Sequence, residues 1–312
     1  MPELETPTGS IKPASMLALA LAFVAIYVVW GTTYLAIRYA VETIPPFLTA
    51  AVRHLTAGAI LMAIAWSRGY RPRREHWVAG CVLGGLFFLI GHGILHWAEQ
   101  YISSGLAALL IASEPMWILA IGAAMGQQRI NGLNGTGLLF GVAGVAVLSI
   151  PELDSVSTTA WATVGVLVSS ASWALGVCLS PRLRLPETAM ARAALPMLCG
   201  GVMLTCTAGF TGEFGALRWE DISLKSVLGL AYLISFGSIV AFAAYIWLLQ
   251  RVSPTLVATH SFVNPLVAVL VGWWWAAEQL DWRVLVATAV ILVAIVLVQR
   301  GERQPVLSTD PA

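Results

Sequence analysis

The chain has 312 residues, of which 58% are apolar types and 11% charged, with a formal net charge of +1. A soluble domain carries about a quarter charged residues, so this deficit excludes an ordinary cytosolic enzyme. The near-neutral balance offers no basic footprint for nucleic acid, and the apolar content excludes disorder. What remains is an all-α polytopic protein of the lipid bilayer, built from helices of about 20 apolar residues each.

In chain order, apolar runs predict ten transmembrane helices at 17–37, 47–66, 78–97, 104–125, 133–150, 161–180, 192–211, 226–248, 254–276 and 283–299. The connections are too short for a second soluble domain, and the tails 1–16 and 300–312 are polar. Cys81, Cys178, Cys199 and Cys206 all fall inside apolar runs without CxxC spacing, so they read as small core residues. Orientation follows from Lys and Arg in the loops. With the N-terminus inside, the inner segments hold Lys12, Arg68, Arg71, Arg73, Arg74, Arg129, Arg182, Arg184, Arg192, Arg251, Arg300 and Arg303. The outer ones hold only Arg38, Arg218, Lys225 and Arg283. Both termini are therefore expected in the cytoplasm. Trp66, Trp77, Trp161, Trp219 and Trp282 stand near run ends, where interfacial tryptophans belong.

An internal repeat organises the chain. A shift of about 150 residues lays Trp97 on Trp247, Gln100 on Gln250, Leu106 on Leu256, Pro115 on Pro265 and Gly122 on Gly272. The first two runs match the sixth and seventh more loosely, with Trp30 over Trp173. Five spans is an odd number, so the second copy is expected upside down, an architecture of secondary transporters. The domain reading is 17–150 and 161–299, joined by a polar seam at 151–160.

Several short motifs stand in order along these copies. They are Trp30-Gly31-Thr32-Thr33-Tyr34, Pro45-Pro46 followed by Ala51-Val52-Arg53-His54, Ser113-Glu114-Pro115-Met116-Trp117, Asn264-Pro265, and Ala277-Glu278-Gln279-Leu280. On them the chain resembles the drug/metabolite transporter superfamily, specifically its EamA-type ten-helix exporters, over about residues 17–299. The resemblance implies export of small metabolites, amino acids and related amphipathic compounds foremost, across a bacterial inner membrane. One departure is Gly126-Gln127-Gln128, where the family usually has Gly-Glu; the second copy keeps the acid as Glu278.

Glu114 and Asn264 are repeat equivalents, each before a proline and each about 15 Å into its span at the helical rise. Proline removes a backbone bond, and broken helices at mid-membrane mark transport sites. Glu114 either binds substrate or a proton, or is neutralised by Arg53, or caps broken backbone. Arg53, about 9 Å into its span, either meets a substrate carboxylate or phosphate, or packs and snorkels. Adjacent His54 points elsewhere on the helix and reads as structural. His92, His96 and Glu99 share a helix face, as a proton or substrate contact or as plain hydrogen-bonded groups. His260 is a similar candidate. Tyr34, Trp97, Trp117, Trp173, Tyr245 and Trp247 either face a cavity or pack between helices.

Small-residue stripes at Gly80/Gly84, Gly122/Gly126 and Gly137/Gly141 speak to close helix approach and to a homodimer contact. There is no Walker A, HExxH or GxSxG sequence, so neither cofactor nor metal is expected. The function expected is a secondary transporter alternating between two halves, and the sequence admits both proton coupling and uniport. The alternative is an integral membrane lipid-modifying enzyme. Its polar cluster would have to be His92, His96 and Glu99, which lack a nearby nucleophile.

Overall fold

A computed structural model describes residues 15–153, 158–249, 251, 252, 257 and 259–302. The expected tails, part of the seam and the start of the ninth run lie outside these residues. Every regular element among the described residues is helical. We label α1 Met16–Ala40, α2 Pro46–Ser67, α3 Arg74–Ala98 and α4 Ser104–Ala124. Then follow α5 Gly132–Leu153, α6 Thr158–Leu179, α7 Ala189–Phe210 and α8 Leu224–Leu248, α9 His260–Ala276 and α10 Trp282–Glu302.

These helices fall on the apolar runs, and the protein is an all-α polytopic membrane protein. Eight of them are long and apolar enough to cross a bilayer. The other two, α5 and α9, carry shorter apolar stretches, Gly132–Val147 and Val263–Ala276. The ten expected crossings are therefore matched at eight, because the apolar part of those two helices is short within the described residues. Large apolar side chains such as Leu139, Val142, Phe210 and Leu228 are exposed, as a lipid-facing surface requires. Trp66, Trp77, Trp161, Trp219 and Trp282 are exposed too, and so are all three of Trp273, Trp274 and Trp275.

Helix starts follow capping chemistry. Ser15, Ser103, Thr188 and Ser223 each accept a hydrogen bond from a first-turn N–H of α1, α4, α7 and α8. Pro46 opens α2, where a missing N–H costs nothing. Two acids cap helices from a distance. Glu213, in the short turn Glu213–Ala216 after α7, accepts from Phe47 N (3.2 Å) and Leu48 N (2.8 Å) at the start of α2. Its burial raises its carboxyl above the usual range, and those two N–H donors pull it back down. Glu278 does the same for α4, accepting from Ser104 N (2.9 Å), Ser104 Oγ (2.8 Å) and Gly105 N (3.1 Å), and it pairs with Arg38 of α1. Ala277, in the left-handed region at φ 53°, turns the chain back so that Glu278 reaches α4.

The packing is reciprocal. Helix α2 lies along α7 and α5 along α10; α1 packs on α8 and α9, while α6 packs on α3 and α4; α2 meets α8, and α7 meets α3. Exchanging α1–α5 with α6–α10 maps this pattern onto itself. Close approach uses the glycine stripes inside the chain. A Cβ on Gly84 would stand 2.7 Å from Gly200 N and Pro196 O of α7, and one on Gly137 2.8 Å from Ala294 O of α10. The Gly80/Gly84 and Gly137/Gly141 stripes thus serve helix pairs within one chain, while Gly122 faces only Gln128 and Gly126 faces open space.

Three stretches wind more loosely, with π-helical spacing: Ala25–Val29 in α1, Gly84–Gly93 in α3 and Leu233–Val240 in α8. The last two overlap under the 150-residue shift. Such turns free or re-aim backbone groups and are frequent at functional sites.

Candidate functional site

Helix α4 is interrupted. Its first half, Ser104–Ile111, ends at a turn over Ala112 and Ser113, and Glu114–Ala124 begins a second half with Pro115 in the first turn. A proline there needs no N–H, so it marks a fresh helix start. Ser113 Oγ donates to Leu110 O (2.6 Å) and lies 3.3 Å from Ser170 Oγ of α6, which ties the break to the opposite half. Glu114 stands on this break, half-buried. Among the described residues it makes no ion pair and no hydrogen bond.

The equivalent proline behaves differently. Pro265 lies inside the continuous helix α9 rather than at a break. The ninth run is interrupted too, but farther upstream: Val257 is helical, Thr259 is a turn, and α9 begins at His260. The helix starts at His260, only five residues earlier, so the bond lost to proline belongs to its first turns. Asn264 reaches His260 Nδ1 (3.4 Å), and with its amide turned it donates to Tyr27 O (3.3 Å) and His260 O (3.1 Å). His260 packs edge-on to Trp30 (centroids 5.0 Å) and to Tyr245 (5.9 Å), and Trp30 lies 5.4 Å from Tyr245. Trp30 Nε1 donates to Gly237 O (3.1 Å) in the loose turn of α8. Tyr245, His260 and Asn264 are thus one cluster, with Trp30 as the member that sequence reasoning did not single out.

A second cluster forms on the other half. Trp173 of α6 stacks on His92 (5.3 Å, 18°) and packs against Phe87 (4.5 Å) of α3. Trp30 and Trp173, matched in the repeat, each insert from one half against the loose turn of the other. His92 Nδ1 lies 2.9 Å from His54 Nε2, so His54 belongs to this cluster. His54, expected to point elsewhere than Arg53 and to be structural, is a buried member of this hydrogen-bonded column. Because α2 is packed by α3, α7 and α8, more than one of its faces looks inward.

Arg53 is 5% exposed, and its Nε donates to Ser238 Oγ (3.1 Å) of α8. Its Nη1 has no partner, and no ion pair joins it to Glu114 among the described residues. The alternative in which Arg53 neutralises Glu114 therefore has no contact behind it. Past the end of α3, Glu99 is 2% exposed with both carboxylate oxygens unpartnered. Burial and the Glu278 charge push its carboxyl well above the usual range, against the pull of Arg38 and Arg53.

Other candidates stand apart. Trp117 is half-buried in the second half of α4, with no ring contact to either cluster. Trp97 lines an apolar groove of about 490 Å³ with Phe47, Ile94, Trp161 and Val168. That groove holds none of the acids or histidines above. Trp247 carries Arg251 over its ring at 4.2 Å. Gln128, in place of the acid of the second copy, packs beside Gly122, and Gln127 donates to Cys178 O (2.9 Å) of α6.

A helical membrane protein whose mid-helix breaks carry an unpaired acid, flanked by two aromatic-histidine clusters from reciprocally packed halves, has the build of a membrane transporter. The profile of the EamA-like transporter family matches residues 16–150 and again 160–300. The chain is 36% identical over 284 residues to a protein of Escherichia coli K12 named as the uncharacterized inner membrane transporter YedA, with 90% of each chain covered. It is 27% identical to the uncharacterized transporter YvbV of Bacillus subtilis, with 92% of each covered. A solved crystal structure shares the fold at a TM-score of 0.62 and 19% identity, over 93% of this chain and all of that one. This chain belongs to the EamA-like transporter family and is a membrane transporter.

Proposed function

We propose that the protein exports small metabolites, with amino acids and related amphipathic solutes as the substrate class, by alternating access in a bacterial inner membrane. The two halves, 17–150 and 161–299, are inverted copies, both termini are cytoplasmic, and the solute binds between the two aromatic-histidine clusters. Support for the membrane comes from the named function of YedA.

The observation that carries the reading is Glu114. An unpaired acid inside a membrane is costly and marks substrate or proton pathways. Here it stands on a broken helix that packs against α1 and α9, which carry Tyr34, His260 and Asn264, and Tyr245 packs on His260. A solute ammonium, or a proton, is the partner this acid lacks. The tyrosines and the Trp30 ring supply the apolar, ring-bearing wall for an amphipathic body.

The test uses purified protein in liposomes carrying an internal pH dye, challenged with a panel of amino acids, nucleobases and cationic drugs. Saturable flux of an amino acid is the expected result, together with Glu114→Gln that inserts and folds normally yet loses flux or loses its proton signal. Wild-type-like flux in Glu114→Gln at every pH would sink the role of this acid. No flux across the panel would sink the substrate class.

A further inference from the structure

The repeat puts an acid in one copy where the other has an amide, and the two ends of the molecule are held differently as a result. A shift of 150 residues lays Gln128 on Glu278 as it lays Gly122 on Gly272. The backbone turn is the same at both places: Glu278 N donates to Gly272 O (3.0 Å) and Gln128 N to Gly122 O (3.2 Å). Both side chains fold back over their glycine. Beyond that the two part. The Glu278 carboxylate accepts from Ser104 N, Ser104 Oγ and Gly105 N and pairs with Arg38, so it joins the end of α9 to α4 and α1 of the other half. Gln128 Oε1 is buried and has no partner. Buried polar atoms without partners are rare and call for an explanation. Around Gln128 the halves meet through exposed side chains on backbone carbonyls, Gln127 Nε2 on Cys178 O (2.9 Å) and Arg182 Nη2 on Met125 O (3.4 Å).

We propose that Glu278, Arg38 and Ser104 form the latch of one gate, and that Gln128 is the matching position of the opposite gate left without one. The transporter therefore rests closed at its Glu278 end and opens first at its Gln128 end. This deepens the alternating-access reading and rests on it. In the orientation proposed above, the Glu278 end is periplasmic and the Gln128 end cytoplasmic. The resting chain then offers its site to solute in the cytoplasm, which is what an exporter needs.

The energetics follow from which bonds each opening breaks. To open the Glu278 end, α9 has to leave α1 and α4. That parts the carboxylate from a guanidinium and from two backbone donors at a helix start, and Ser104 is fully buried there. Charged and backbone groups stripped of partners in a buried place are costly. To open the Gln128 end, Gln128 Oε1 gives up nothing, and the exposed bonds of Gln127 and Arg182 exchange for bonds to water. An equilibrium between two states shifts only by the difference in their interactions. Here one carboxylate against one amide, set on the same backbone turn, supplies that difference. Arg38 is partly exposed, so salt weakens its arm of the latch and spares the buried Ser104 arm.

Sidedness of thiol labelling tests the latch without any solute. The full-length chain, with Cys81, Cys178, Cys199 and Cys206 replaced by alanine, carries Tyr34→Cys, one turn deeper on α1 than Arg38. A membrane-impermeant maleimide is added to right-side-out or to inverted membrane vesicles. With the latch intact the thiol should react about tenfold faster from the Gln128 face. Glu278→Gln should raise the rate from the Glu278 face about tenfold. Arg38→Met, which leaves the α4 cap in place, should raise it about threefold. Gln128→Ala should change neither rate. Equal rates from both faces before any latch residue is changed overturn the asymmetry, and so does a Gln128→Ala rise as large as that of Glu278→Gln. A rise shared by both faces in Glu278→Gln is the loosening of a merely structural cap and overturns the latch. Where Glu278→Gln does not fold, Arg38→Met decides by the same comparison. A separate thiol from Arg129→Cys reports which face the Gln128 end meets. A periplasmic Gln128 end would sink the proposed orientation, and absence of solute flux in reconstituted protein would sink the transport reading; the labelling asymmetry would survive either.

Discussion

Glu278 is the group through which the end of α9 holds the start of α4, and its removal should be costly. Its carboxylate takes three hydrogen bonds, from Ser104 N, Ser104 Oγ and Gly105 N, and pairs with Arg38. The side chain is 8% exposed and Arg38 37%, so the ion pair is partly screened and contributes less than about 1 kcal/mol. The hydrogen bonds matter more. Glu278→Ala strands two backbone donors at a helix start, at about 1–3 kcal/mol each, on top of the lost charge-assisted bonds. A total of about 3–5 kcal/mol follows. Glu278→Gln keeps one acceptor for Ser104 but sets an NH2 against Gly105 N, so it strands one donor at about 1–3 kcal/mol and loses the charge at the helix N-terminus at about 0.3–2 kcal/mol. Thermal unfolding in detergent, followed by intrinsic fluorescence, should show Tm falling by roughly 10 °C for the alanine variant, at about 2–4 °C per kcal/mol. The glutamine variant, which strands one backbone donor rather than two, should fall by less. Equal Tm for wild type and Glu278→Ala would refute the reasoning, because the cap would then be idle.

Gly84→Ala should destabilise by about 1–3 kcal/mol through overpacking, since its Cβ would press on the α7 backbone at 2.7 Å. Gly85→Ala is the control, because its Cβ meets only Met203 Sδ, at 3.8 Å. Equal losses in detergent melts would remove the close-approach argument. Pro115→Ala should let α4 run through its break and slow solute flux at least tenfold. Pro265→Ala, inside a helix that is already continuous, should change flux less than threefold; the reverse order in the liposome assay would contradict the placement of the break.

The sequence made the helices legible because a lipid-facing span must be apolar along its whole length, and α2 and α7 stand close to where composition puts them. The prolines were a weaker guide. Pro115 and Pro265 look alike in the repeat, yet a proline reports only that a bond is missing. Whether the helix restarts one residue upstream, as at Glu114, or five, as at His260, depends on neighbours that no local signal encodes. Glu114 was visible because an acid in an apolar run is conspicuous. Ser238 was not, since a serine in a membrane helix has many uses and its partner Arg53 is 185 residues away. The His54–His92 contact was hidden for a different reason. Reading one helix face at a time assumes one buried side, and α2 has more than one.

The reciprocal packing has a consequence for how the chain is made. Helix α1 leaves the ribosome first, but the helices it rests on, α8 and α9, come last. The Trp30 indole waits 207 residues for the Gly237 carbonyl it binds. Until then the first half sits in the bilayer with its opening helix unclasped, and contacts so distant in sequence form late and slowly. The two copies therefore behave as interlocked parts rather than as independent domains. Translation arrested after α5 should leave a protease-sensitive fragment, and synthesis of 160–312 in the same cell should rescue it.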